Sequence, residues 1–132
     1  DGCIDVNIQV QQTNVYYADT QWLEVDLGLT GWGSRPVAQS YLTEAYVTGA
    51  PFNEAHWSTP ELDALVGDAS VTADPEARAA IYDEIRAIFA EEGPVIIPFF
   101  APQFGAVAND VEGLSLHSFP GRTDLDNVSI SG

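Results

Sequence analysis

The chain has 132 residues, 45% of them apolar, with twenty acids against four arginines and no lysine, for a formal charge of −16. A surface of that sign repels phosphate backbones and anionic bilayers, which excludes nucleic acid and acidic membranes as partners. No run of about 18 apolar residues is present to span a bilayer, and the length suits one domain. The acids are scattered along the chain and do not form a tail, so disorder is a poor explanation for them. Acid excess without lysine fits adaptation to high salt, where screening relieves self-repulsion, or simply an acidic surface. The single cysteine, Cys3, excludes an internal disulfide and a multi-cysteine metal site, and reads as a small buried apolar residue. The first residues show neither a basic start nor an apolar stretch, so a signal peptide is expected only upstream of this sequence.

In chain order, Ile4, Val6, Ile8 and Val10 alternate with polar residues, which predicts a strand with one buried face. Residues 14–22, with Tyr16, Tyr17 and Trp22, read as a short helix or loop crossing over a sheet. Val25, Leu27 and Leu29 alternate again and predict a second strand. A crossover of about a dozen residues suits parallel pairing, and an antiparallel pair with a wide loop is the other arrangement. The second strand runs into Gly31-Trp32-Gly33-Ser34-Arg35-Pro36, a large ring on a turn flanked by glycines. Ligands in open α/β sheets gather beyond the carboxyl ends of strands, so this turn is the leading site candidate. A short helix follows over 37–47 and stops at Thr48-Gly49-Ala50-Pro51.

Two helix starts then stand in tandem. Thr59-Pro60-Glu61 and Asp74-Pro75-Glu76 each place an N-cap oxygen, a proline at the first helical position and an acid in the first turn. Leu62, Leu65, Val66 and Ala69 form the apolar stripe of the first helix. Ile81, Ile85, Ile88 and Phe89 form that of the second, as for a helix laid on a sheet. Gly93-Pro94 is expected to end the second helix in a left-handed glycine, feeding a buried strand over 95–100. Pro98 and Pro102 break the stretch 95–108 into two strands about a bend. A turn at Asn109-Asp110, a short extended piece over 111–116, a loop at 119–122 and an edge strand over 127–130 complete the chain.

These strings, in this order, resemble the solute-binding proteins of ABC importers of the dipeptide, oligopeptide and nickel type (solute-binding family 5). The resemblance is carried by the strand ending in Gly31-Trp32 and by Phe52-Asn53 with Trp57 and Pro60-Glu61-Leu62-Asp63-Ala64-Leu65. It is carried further by Asp74-Pro75-Glu76-Ala77-Arg78 before Ile81-Tyr82, and by Gly93-Pro94-Val95-Ile96-Ile97-Pro98 with Val111-Glu112-Gly113 beyond. It covers nearly the whole chain but only the C-terminal part of the longer family members. It implies an α/β fold: a C-terminal lobe portion of a two-lobed, type II periplasmic-binding-protein-like fold, a mixed sheet flanked by helices. Residues 1–104 would be the second half of the C-terminal ligand-binding lobe, and 105–132 a return segment toward the N-terminal lobe. The implied activity is capture of a small polar organic solute, a short peptide or related compound, in the periplasm or at the cell surface. Delivery is to a membrane ABC permease. The partners are that ligand, the permease and the remaining N-terminal part of the same protein. An oligosaccharide-binding member of the fold, a hydrolytic enzyme and an acidic interaction domain are the alternatives.

The expected ligand contacts are Trp32, Gly33, Ser34 and Arg35, with Asn53 and Trp57. Trp32 offers a large ring with one N–H, for a ligand or for a core. Arg35 suits a carboxylate clamp or an ion pair with a nearby acid. In peptide-binding members of the family an acid near this position meets the ligand's amino group. Ser34-Arg35-Pro36 has none, which weighs against a ligand with a free amine. Asn53 could bond a ligand or hold its turn. His56 lacks a second histidine at ligand spacing and reads as structural. Tyr16, Tyr17 and Tyr41 suit a cleft lining or core packing alike. Asp124-Leu125-Asp126 lacks the remaining ligands of a calcium loop. No Gly-x-Ser-x-Gly elbow, His-Glu-x-x-His or phosphate loop occurs, so no catalytic residue, metal or cofactor is expected.

Overall fold

The computed structural model describes residues 3–117, 119 and 122–131. Its elements are α1 (Thr13–Tyr16), a 3-10 turn (Gln21–Leu23), α2 (Ala38–Ala45), α3 (Pro60–Val71), α4 (Pro75–Glu92), β1 (Val111–Glu112) and β2 (Ser129–Ile130). Both tandem helix starts form as the sequence predicts. Thr59 is extended, and its Oγ1 accepts from the Leu62 amide at 3.1 Å. Asp74 Oδ1 accepts from the Ala77 amide at 2.7 Å. Each cap satisfies one of the amides that a helix start leaves without a partner.

The core is helical. Leu42 of α2, Leu62 and Val66 of α3 and Ile85 of α4 form its buried centre, and Leu62 is fully buried. Tyr46, Trp57, Leu65, Ile81, Tyr82 and Phe89 pack around it. The stripes on α3 and α4 thus meet each other and α2, where a sheet was expected to lie beneath them. Gln39 ties the three helices together: its Nε2 donates to the Val66 carbonyl at 3.1 Å, and its Oε1 accepts from the Tyr82 hydroxyl at 3.2 Å.

The mixed sheet does not form among the described residues. Residues 4–10, 25–29 and 95–108 take no strand pairing, and their apolar side chains face solvent, with Ile8 78% and Ile96 86% exposed. The alternation is present, but a strand needs a neighbouring ladder to satisfy its backbone, and no ladder forms along these stretches. Side chains take that place at the second expected strand, where the Gly31 amide donates to the Tyr17 hydroxyl at 3.1 Å. Cys3 is exposed for the same reason, since the strand expected to bury it is unpaired. The strands that do form are the two-residue β1 and β2, antiparallel with Val111 opposite Ile130 and Glu112 opposite Ser129. Gly113 follows β1 at φ +80, and any Cβ there would collide with the Asn127 carbonyl.

The end of α4 also differs from expectation. Gly93 has φ −11 and ψ 97, outside the left-handed region. Glycine is needed there for close approach, because a Cβ would stand 2.8 Å from the Phe89 carbonyl oxygen. The chain beyond it is irregular and exposed rather than a buried strand. No helix among the described residues is long and apolar enough to cross a membrane.

Candidate functional site

The turn at 30–35 is built against the loop before α3. Glu54 holds it with both oxygens: Oε2 accepts from Thr30 Oγ1 at 2.6 Å, and Oε1 accepts from Trp32 Nε1 at 2.9 Å. Tyr41 of α2 holds the other end, its hydroxyl donating to the Gly33 carbonyl at 2.9 Å and accepting from the Arg35 amide at 2.9 Å. The Trp32 ring is therefore fixed in orientation although half-buried, and its one polar atom is satisfied.

Arg35 folds back over this turn. Its guanidinium carbon lies 5.8 Å from the Trp32 ring centre and 6.0 Å from that of Tyr41, within reach of a cation–π attraction. One terminal nitrogen meets Glu44 Oε2 at 3.3 Å, with both side chains 36% exposed. At that exposure the pair is solvent-screened and contributes little to stability. The guanidinium remains open enough to meet an anion.

A hollow of about 160 Å³ lies beside the turn, lined by Tyr17, Trp22, Thr30, Gly31, Trp32, Arg35, Phe52 and Glu54. Its rings form a continuous set. Tyr17 meets Trp22 edge-on at 5.4 Å, Trp22 stacks on Phe52 at 6.1 Å, and Phe52 meets Trp32 edge-on at 6.2 Å. Rings, one guanidinium and one carboxylate around a hollow can hold a small polar organic molecule by stacking and charge-assisted hydrogen bonds.

The structure brings Trp32 and Arg35 to this hollow, and Gly33 and Ser34 continue the turn between them. Gly33 contributes its carbonyl to Tyr41, and Ser34 is exposed. Asn53 and Trp57 are placed elsewhere. Asn53 closes its own loop, its Nδ2 donating to the Trp57 carbonyl at 2.9 Å and its Oδ1 accepting from the Trp57 amide at 3.3 Å. The Trp57 ring packs edge-on against Phe89 at 5.9 Å, on the helical core. Trp57 also lines a larger, open hollow of about 570 Å³ with Glu24, Asp26, Glu54, His56 and Pro94. Val25, Ala55, Trp57 and Pro94 also face that space, but polar surface predominates there, whereas rings line the smaller hollow and make it the better recognition site. His56 stands at φ 48, and its Nε2 lies 2.6 Å from the Leu23 carbonyl, which ties the loop before α3 to the 3-10 turn bearing Trp22.

Glu54 was not singled out by sequence reasoning, because nothing marks it among twenty acids. Trp22 and Phe52 carried no site signal either, beyond being aromatic. The charge of Glu54 is felt nearby. Burial pushes the Tyr46 phenol above its ordinary value, and the Glu54 carboxylate adds to the rise. The Tyr16 phenol is raised by burial, then by Tyr17 and Glu54, and its oxygen is buried with no hydrogen-bond partner. Among the described residues no group of three or more His, Cys, Asp or Glu stands where it could hold a metal ion.

Comparison with known proteins finds similarity to one class, the solute-binding proteins, two of them named for peptides and one for an ABC transporter. The chain is a distant relative of the dipeptide-type solute-binding proteins. It is 24% identical over 114 residues to the dipeptide-binding protein DppE of Bacillus subtilis, covering 86% of this chain and 21% of that protein. It is 30% identical over 94 residues to di/tripeptide-binding protein 4 of Pseudomonas aeruginosa, covering 68% of this chain and 18% of that protein. It is 29% identical over 98 residues to the probable ABC transporter periplasmic-binding protein SapA of Escherichia coli, covering 71% of this chain and 18% of that protein. The chain thus spans about a fifth of the length of these relatives. No family model matches it. No solved structure matches it either.

Proposed function

We propose that this chain is a segment of the C-terminal lobe of a two-lobed solute-binding protein serving an ABC importer. Residues 1–104 form lobe, and residues 105–132 return toward the N-terminal lobe. The ligand is a small polar organic solute, a short peptide or related compound, captured in the periplasm or at the cell surface and passed to the membrane permease without covalent change. The observation that carries the reading is the similarity to three binding proteins over 68–86% of the chain. The ring-lined hollow at Trp32 supports it, and so do the exposed apolar side chains at 4–10 and 95–100, which suit strands of a larger sheet. Trp32 and Arg35 are the ligand contacts of this segment, with Gly33 and Ser34 shaping the turn. Asn53 and Trp57 act from behind, by holding the loop that carries Glu54. Cleft closure on the solute supplies selectivity and signals loading.

The test is calorimetric titration of the protein carrying these residues with di- and tripeptides and, separately, oligosaccharides, while the same mixtures are followed for hydrolysis. Saturable peptide binding without turnover is expected. Saturable binding of oligosaccharides alone would move the ligand to sugars, and turnover without stable binding would overturn the transport reading.

A further inference from the structure

The lining of the hollow at Trp32 narrows what enters it. We propose that it is an aromatic cage for an alkylated ammonium group, so that the solute is an organic cation or carries one. The proposal rests on the reading of this hollow as the ligand side of a cleft. At about 160 Å³ it is smaller than the roughly 300–1,000 Å³ of pockets that enclose a whole drug-sized ligand, so it receives one group of a solute.

Four rings line it, from Tyr17, Trp22, Phe52 and Trp32, with successive interplanar angles of 68°, 28° and 79°. The set turns corners, as the walls of a cage must. Ring faces carry the negative part of the aromatic quadrupole and attract cations within about 6 Å. Trp32 already takes a cation at that range, the Arg35 guanidinium at 5.8 Å. Arg35 lines the same hollow and is only partly offset by the partly exposed Glu44 at 3.3 Å, so a bound cation must displace it toward Glu44. Glu54 supplies the hollow's one carboxylate, and each of its oxygens already holds a donor, Trp32 Nε1 at 2.9 Å and Thr30 Oγ1 at 2.6 Å. It therefore attracts by charge more than by offering fresh acceptors. That favours a cation without N–H groups, whose polarised methyls rest on rings, over a primary ammonium that must replace several water hydrogen bonds.

The test titrates the protein carrying these residues with tetramethylammonium chloride and, at matched ionic strength, with ammonium chloride and sodium chloride. The Nε1–H signals of Trp22, Trp32 and Trp57 are followed by nitrogen-edited NMR. Tetramethylammonium is expected to shift Trp22 and Trp32 saturably, at least about tenfold more tightly than ammonium, with Trp57 unmoved. E54Q, which keeps the side-chain shape, is expected to weaken that binding about tenfold, and Trp22→Leu or Phe52→Leu to weaken it similarly. Equal responses to all three salts would reduce the effect to screening of the −16 charge and overturn the cage, as would a response confined to Trp57. Peptide binding without a tetramethylammonium response would overturn the cage and leave the transport reading standing. Tetramethylammonium binding with no peptide bound would uphold the cage and remove peptides as the solute.

Discussion

Trp32 and Glu54, twenty-two residues apart, are joined by a 2.9 Å hydrogen bond that fixes an indole at the mouth of a hollow. The same carboxylate anchors Thr30 at 2.6 Å, so one side chain secures the whole turn. Glu54→Ala is expected to release both anchors, with the indole swinging into water. Its fluorescence should shift to the red, and urea unfolding should fall by about 1–2 kcal/mol, the scale of a hydrogen bond to a partly buried charged group. An unchanged emission maximum would show that the turn is held without Glu54.

The two helix caps act on separate helices and share no contact. Thr59→Ala leaves the Leu62 amide without its partner, and Asp74→Ala does the same to the Ala77 amide. Each substitution is expected to cost about 1 kcal/mol by urea unfolding. The double variant should cost the sum within about 0.5 kcal/mol, as for independent sites. A double variant no worse than either single one would mean that α3 and α4 unfold before the measured transition.

The helices were legible because their signals are local. Proline at N1, an oxygen one residue before it and a stripe every three to four residues need no knowledge of the rest of the chain. The strands were not, because alternation at 4–10 and 25–29 states a preference that only a neighbouring ladder can satisfy. The turn at Trp32 was legible from its glycines and its ring, and Arg35 from its rarity in a chain of twenty acids. Glu54 was hidden by that same abundance: its role arises from contacts across twenty-two residues, which no local pattern encodes. Asn53 and Trp57, expected as ligand contacts from the loop before α3, bond each other across that loop. The Trp57 ring turns onto Phe89, a contact that the sequence spacing does not announce.

Asp63 gives a pH-dependent probe of how α2 joins α3. Its carboxyl lies below the ordinary 3.8 because Thr48 hydrogen-bonds it, through the side chain and then the amide, and burial opposes the shift only weakly. The amide bond is 2.8 Å long. A depressed carboxyl pKa contributes stability that is present above the unfolded value and lost as pH falls through the folded one. Thr48→Ala is expected to bring the Asp63 carboxyl back toward its ordinary value in a carbon-detected NMR titration. It should also flatten the stability profile on the acid side. No change in that titration would remove the Thr48 side chain as the cause.

The Tyr46 phenol reports, from the alkaline side, how the end of α2 packs on α4. It packs edge-on against Phe89 at 4.9 Å and is half-buried, and burial first, then the Glu54 carboxylate, holds its pKa above the ordinary 10.0. Both causes penalise the phenolate, so the folded state prefers the neutral form. The stability this represents is complete below the unfolded value and is lost as pH rises through the folded one. Ultraviolet titration of the folded chain should therefore find Tyr46, with Tyr16, ionising above the ordinary 10.0. Tyr46→Phe should remove one late-ionising phenol and blunt the alkaline loss of stability. In Glu54→Ala the Tyr46 phenol should move part of the way back and no further, because burial is the larger cause. A full return to 10.0 in that variant would make charge, rather than packing on Phe89, the dominant influence at this contact.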